Sequence, residues 1–240
     1  MSEIDAGAGK NGRGSDAWAG SWRHFSVDRR SPGYCRVTFN HPPINTITAT
    51  TVLELTELVD LIEHDPELNV VVFASANPDF YLAHYDTGHD PIGTAALSAG
   101  STGMHAWLDV LVRLSRAPAV SIASIRGRAY GAGSEFVLAC DLRFASRENT
   151  RVGPLEVATD AVLGGGPMAR LRRLVGRGRA LEILLGATDL DGRRAEQYAY
   201  ANRAIADGEL DAEVDGIASR LAGCDPEAIR RAKTYVDQVT

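Results

Sequence analysis

Apolar residues recur at two spacings along this chain, as short continuous runs and as a three-and-four stagger. Tyr34 to Asn40 (YCRVTFN) reads as a strand that stops at His41-Pro42-Pro43, because proline has no N–H to give a ladder. Val52, Leu55, Leu58, Val59 and Ile62 follow at the stagger that turns one helical face toward a core, with Thr48 as the expected N-cap and an end near Asp65-Pro66. Val70-Val71-Val72-Phe73-Ala74 is unbroken and rich in β-branched residues, as in a parallel strand covered on both faces. Strand, helix, strand in that order predicts a right-handed crossover.

The stretch from Thr87 to Thr102, made of glycine and small residues, predicts a long loop before a helix carrying Trp107, Leu108, Leu111, Val112 and Leu114. Val120 to Ile125 (VSIASI) is a second buried strand. A tight glycine turn, an apolar helix from about Ala132 to Cys140 and a strand from Leu142 to Ala145 come next, and the chain after Pro167 is mainly helical. Residues 1 to 20, with five glycines and almost no apolar pattern, cannot bury enough surface to offset their ordering entropy. The expected organisation is therefore a mobile tail over 1–20, an α/β core over 21–186 and a helical extension over 187–240.

Composition narrows the function classes. A hydrophobic share of 45% in 240 residues is enough for a full core. The net charge of −6 argues against nucleic acid, whose phosphates need a clustered basic face. Cys35, Cys140 and Cys224 show neither C-x-x-C spacing nor a histidine cluster, so they read as buried small hydrophobes in a reducing compartment rather than as disulfide or zinc ligands. No apolar run reaches the roughly 20 residues of a membrane-spanning helix. No signal-peptide pattern opens the chain. A cytoplasmic location is the expectation.

The candidate chemistry lies in Ile125-Arg-Gly-Arg-Ala-Tyr-Gly-Ala-Gly-Ser-Glu-Phe-Val-Leu-Ala-Cys-Asp141, where a strand passes through a glycine turn into a helix. Helix N-termini present unpaired N–H groups with partial positive charge, which suits a carbonyl oxygen on its way to an oxyanion. Glu135 stands one turn from Ala132 on the same side.

This segment resembles the signature of the crotonase superfamily, the enoyl-CoA hydratase/isomerase family. Further matches fall in the family's order: Asn40-His41-Pro42-Pro43-Ile44-Asn45, Asp79-Phe80-Tyr81-Leu82-Ala83-His84-Tyr85-Asp86, and Gly153-Pro154-Leu155-Glu156 followed by Leu163-Gly164-Gly165-Gly166. The resemblance covers residues 34 to 235 and implies a ββα spiral with a helical C-terminal region. It implies an acyl-CoA thioester substrate, with no cofactor beyond the CoA that the substrate carries and no metal. It also implies an oxyanion hole made by the backbone N–H groups of His84 and Ala132, and water held between Glu135 and Glu156. Ile44, Ala83, Tyr85, Tyr130, Gly131 and Asp160 would surround the substrate, in a homo-oligomer built on trimers. Two matched glutamates favour hydration of a 2-enoyl-CoA. The alternatives are an isomerase or C–C bond hydrolase of the same family, or a catalytically weak binding subunit.

Several positions depart from the usual pattern. Leu82-Ala83-His84-Tyr85-Asp86-Thr87 is bulkier than the family's small-residue loop and lacks its lysine. Asp160 replaces a usual glycine, as a third pocket carboxylate or as a loop cap. The chain ends at Thr240, and the helices that complete the CoA site and trimer contacts in many relatives are expected to be shortened. Gly164-Gly165-Gly166 reads as a helix-entry turn, since no Gly-Lys-Ser/Thr follows. Arg170, Arg172, Arg173, Arg177 and Arg179 read as one solvated helix surface. His105 and Trp107 read either as lining of an acyl pocket or as ordinary helix packing.

Overall fold

The computed structural model describes residue 18 and residues 20–86, 93–153, 167–186 and 189–238. The described chain is α/β. A six-stranded sheet has the order β1-β2-β3-β5-β7-β10, from β1 (Phe25–Ser31), β2 (Tyr34–Phe39), β3 (Val70–Ser75), β5 (Val120–Ile125), β7 (Leu142–Ser146) and β10 (Arg203–Ile205). Only the hairpin pair β1 and β2 is antiparallel in it; β2, β3, β5, β7 and β10 run parallel. A second sheet orders β4 (Phe80–Leu82), β6 (Arg128–Tyr130), β8 (Arg151–Gly153) and β9 (Leu190–Asp191) as β4-β6-β8-β9.

Helix α1 (Ala49–His64) forms as its stagger predicts. Val52, Leu55, Leu58, Val59 and Ile62 are buried, and Thr48 caps it through a reciprocal pair of bonds with Thr51. Helix α2 (Ala106–Arg116) packs against α1, and α3 (Ala132–Ala139) lies against α2 with every one of its residues buried. The C-terminal helices are α4 (Pro167–Val175), α5 (Arg177–Gly186), α6 (Gly192–Gln197), α7 (Leu210–Ala222) and α8 (Pro226–Asp237). No helix among the described residues is long and apolar enough to cross a membrane.

The core centres on an aromatic cluster. Phe136 of α3 meets Phe73 of β3 edge-on at 5.0 Å between ring centroids and Phe39 of β2 at 5.4 Å. Such pairs contribute about 0.5–1.5 kcal/mol each beyond area burial, so the helix that carries Glu135 is pinned through its next residue.

Two expectations change. Trp18 falls within the segment expected to be a tail, yet it is 5% exposed; its indole donates to Asp65 at 3.2 Å and the Arg29 guanidinium stacks on its ring. The rest of 1–17, and residue 19, lie outside the described residues. Cys35 and Cys140 are buried as expected, but Cys224 is exposed just past the end of α7, where its thiol donates to the Arg220 carbonyl.

Candidate active site

Two neighbouring chain segments build the site. The first leaves β5, turns at Gly127 and forms β6 and α3. Gly127 has φ +77°, and a Cβ there would lie 2.5 Å from the Asp79 carbonyl carbon, so only glycine fits the turn. Gly131 caps α3 with φ 53° and ψ −121°. At Gly133 a Cβ would fall 1.8 Å from the Leu82 carbonyl oxygen, and its bare backbone lets the N–H donate to the Ala83 carbonyl at 3.0 Å. The helix start is thereby docked on the second segment, Leu82 to Asp86.

That second segment is fixed on its other edge by the loop before α1. Ala83 N–H donates to the Asn45 carbonyl, Ile47 N–H to the His84 carbonyl and Asp86 N–H to the Ile47 carbonyl, all at 3.0 Å. Asn45 is the hub. At φ 54°, a conformation asparagine tolerates, its side-chain amide reaches Ser75 Oγ and the carbonyls of Phe80 and Tyr81, and its side-chain carbonyl accepts the His41 N–H.

Among the described residues the amides of Ala132, His84 and Tyr85 donate to nothing. Ala132 is the first residue of α3, so it has no intrahelical acceptor. The other two point in opposite directions. In a trans peptide the N–H lies opposite the preceding C=O. The Ala83 carbonyl faces Gly133, so the His84 N–H faces away from α3; the His84 carbonyl faces Ile47, so the Tyr85 N–H faces the edge where β6 and α3 lie. The His84 side chain is exposed.

Glu135 is 3% exposed, and one of its carboxylate oxygens, Oε2, accepts the Trp107 indole N–H at 2.7 Å. Trp107 comes from the first turn of α2 and is 2% exposed. The Tyr85 ring meets Trp107 edge-on at 5.7 Å. Burial first, and then the charge of Glu135, push the Tyr85 phenol far above its ordinary range, so it stays an O–H donor. A buried carboxylate, the indole that binds it and a phenol ring set against that indole thus lie together at the helix that begins at Ala132.

The remaining expected site residues divide. Ala83 is buried and Ile44 is half-buried on the loop leading to Asn45. The Tyr130 hydroxyl is committed to Asp189 at 2.6 Å, and burial with that carboxylate pushes it up to about 12. Glu156 and Asp160 lie outside the described residues, as do Gly164, Gly165 and Gly166. His105 is the N-cap of α2: its Nδ1 accepts the Trp107 backbone N–H at 3.4 Å and its Nε2 bonds the Thr94 carbonyl at 3.1 Å.

The arginines expected to form one solvated surface separate. Arg172, Arg173, Arg177 and Arg179 are exposed, and Arg172 and Arg177 border a groove of about 320 Å³ floored by Ala180, Leu181 and Leu184. Arg170 is half-buried: burial lowers its pKa, and the negative charge of Glu135 is the largest influence opposing that shift. Neither Arg170 nor the Trp107 bond had a local sequence signal, because both partners come from distant helices.

The sequence model of the enoyl-CoA hydratase/isomerase family matches residues 29–240. The chain is 28% identical over 205 residues to a short-chain-enoyl-CoA hydratase of Clostridium acetobutylicum, an alignment covering 84% of this chain and 77% of that protein. It is 30% identical over 187 residues to an ethylmalonyl-CoA decarboxylase of Xenopus laevis, covering 75% of this chain and 60% of the relative. The crystal structure of a candidate enoyl-CoA hydratase from Streptomyces avermitilis superposes with a TM-score of 0.85 at 43% identity, over 91% of this chain and 78% of that one.

Proposed function

Because the chain belongs to the enoyl-CoA hydratase/isomerase family, we propose that it adds water across the 2,3 double bond of an acyl-CoA thioester through an oxyanion-stabilised enolate. One observation carries this reading: a buried Glu135 stands one turn into the helix whose first amide, on Ala132, has no partner among the described residues. β-Addition to a thioester builds negative charge on the carbonyl oxygen, and one preorganised donor to such an oxygen contributes about 3–4 kcal/mol. We assign the two donors to the amides of Ala132 and Tyr85, since the direction of the Ala83–His84 peptide favours Tyr85 over His84. Glu135 and Glu156 share proton transfer to and from one water, with no cofactor beyond the substrate's own CoA. Assembly into a trimer-based homo-oligomer, to be checked by light scattering, belongs to the same proposal.

A second reading is favoured by Arg170. A cation beside Glu135 suits an acyl group that carries its own carboxylate, and loss of CO₂ from such a group passes through the same enolate. Mass spectrometry of the products from a panel of enoyl-CoA and malonyl-type CoA esters separates the two. Gain of one water supports hydration, an unchanged mass with a moved double bond supports isomerisation, and loss of CO₂ supports decarboxylation.

A further inference from the structure

Among the described residues the buried indole N–H of Trp107 has one partner, and that partner is the carboxylate proposed to move protons. We propose that Trp107 is the positioning residue of Glu135: its N–H fixes one carboxylate oxygen, sets the side-chain rotamer, and holds the group in its ionised, proton-accepting form between turnovers. The inference rests on the reading of Glu135 as a proton-transfer group.

Three features favour this over ordinary packing. An indole nitrogen is a donor only, so the bond is worth most when the carboxylate is charged, and a hydrogen bond to the charged form favours that form. Both ends are nearly inaccessible, at 2% and 3% exposure, so water cannot replace the bond if it is removed. The indole is itself held. Its ring lies against Phe136 at 6.4 Å with 26° between planes and meets Tyr85 edge-on, while its backbone N–H is taken by the capping His105, whose far nitrogen reaches the Thr94 carbonyl. A chain of contacts thus runs from the loop before α2 to the carboxylate. Among the described residues, the Tyr85 phenol on the loop after β4 and the Arg170 guanidinium on α4 also feel the Glu135 charge; Glu156, proposed to share its water, lies outside them.

The test replaces Trp107 with 3-benzothienylalanine, which keeps the bicyclic shape and exchanges the N–H for sulfur, and with phenylalanine as a genetic counterpart. The isostere is expected to lose about tenfold or more in kcat on an enoyl-CoA, the cost of a hydrogen bond to a charged group, with KM little changed. The acid limb of the kcat profile is expected to move to higher pH. Independently of turnover, the ¹⁵N-indole resonance of Trp107, identified among three tryptophans by its absence from Trp107→Phe, is expected to move in Glu135→Gln. An isostere with wild-type kcat and an unshifted profile overturns the proposal, as does an indole resonance indifferent to Glu135→Gln. A wild-type protein that turns over no CoA ester, with that resonance still responding, overturns the catalytic reading and leaves the hydrogen bond standing.

Discussion

At the scale of single residues, what matters at positions 84 and 85 is the backbone. The exposed His84 side chain can be replaced by alanine with little loss, because its carbonyl bond to Ile47 N–H remains. Proline at 85 removes the N–H that faces α3 and is expected to lower kcat by about 10²–10³, whereas Tyr85→Phe keeps it. Steady-state kinetics on folded variants decides the assignment: a His84→Pro protein more impaired than Tyr85→Pro would return the donor to His84, as the sequence resemblance implied. Glu135→Gln and Glu156→Gln keep shape and remove a proton-transfer group, each with an expected loss of about 10²–10⁴ in kcat. If the pair shares one water, the double variant should lose far less than the product of the single losses. Turnover nearly intact in Glu135→Gln and abolished in Glu156→Gln would favour isomerisation, for which one carboxylate suffices.

At the scale of elements, α3 shows how a local rule can be reversed by its surroundings. Alanine in place of an interior helical glycine ordinarily stabilises by about 1 kcal/mol. At position 133 the new Cβ would collide with the Leu82 carbonyl at 1.8 Å, and both partners are backbone, so neither can swing aside. Gly133→Ala is therefore expected to destabilise by about 1–3 kcal/mol, read from the urea midpoint, and to separate the Ala132 amide from the 82–86 segment. Helices α1 and α2 and strands β2, β3, β5 and β7 were legible in the sequence because each is long enough to display a period or an unbroken apolar run. The second sheet was not, since strands of two or three residues such as β4, β6, β8 and β9 carry no period. The same contrast runs through the site. The glycine turn and Glu135 could be read from contiguous residues, whereas the Trp107 bond joins positions 28 apart and exists only once α2 has packed on α3. Asn45 was visible as a motif letter, but its role as a hub depends on β3 and β4 arriving beside it.

At the scale of the whole molecule, charge sets how the fold responds to pH, through two clusters with different thresholds. At the start of β1, His24 stacks on His41 with ring centroids 3.7 Å apart and shares a 2.7 Å hydrogen bond with Thr51 of α1. Burial first, then the neighbouring His41, hold its pKa below the ordinary 6.5. The unfolded chain therefore binds this proton more readily than the folded one, so stability falls as pH drops below about 6.5 and levels off below the folded value. Across the large sheet, Arg30, Arg36 and Arg126 clasp Asp207, Asp211 and Asp215 and tie α7 to β1, β2 and the end of β5. For Asp215, burial acts to raise the pKa but is outweighed by bonds from Tyr34 and Arg30; for Asp207, bonds from Ser146 and Arg126 lower it. Carboxylates held below 3.8 contribute stability that is present above that pH and lost as pH falls through their folded values, the opposite side of neutrality from any basic-limb effect. Thermal midpoints measured from neutral to acid should decline in two stages, a shallow one beginning near 6.5 and a steep one below 3.8. His24→Gln should flatten the first stage and leave the second, and Asp215→Asn should lower the neutral midpoint while weakening the second. A decline through 6.5 that persists unchanged in His24→Gln would remove the histidine pair from this account.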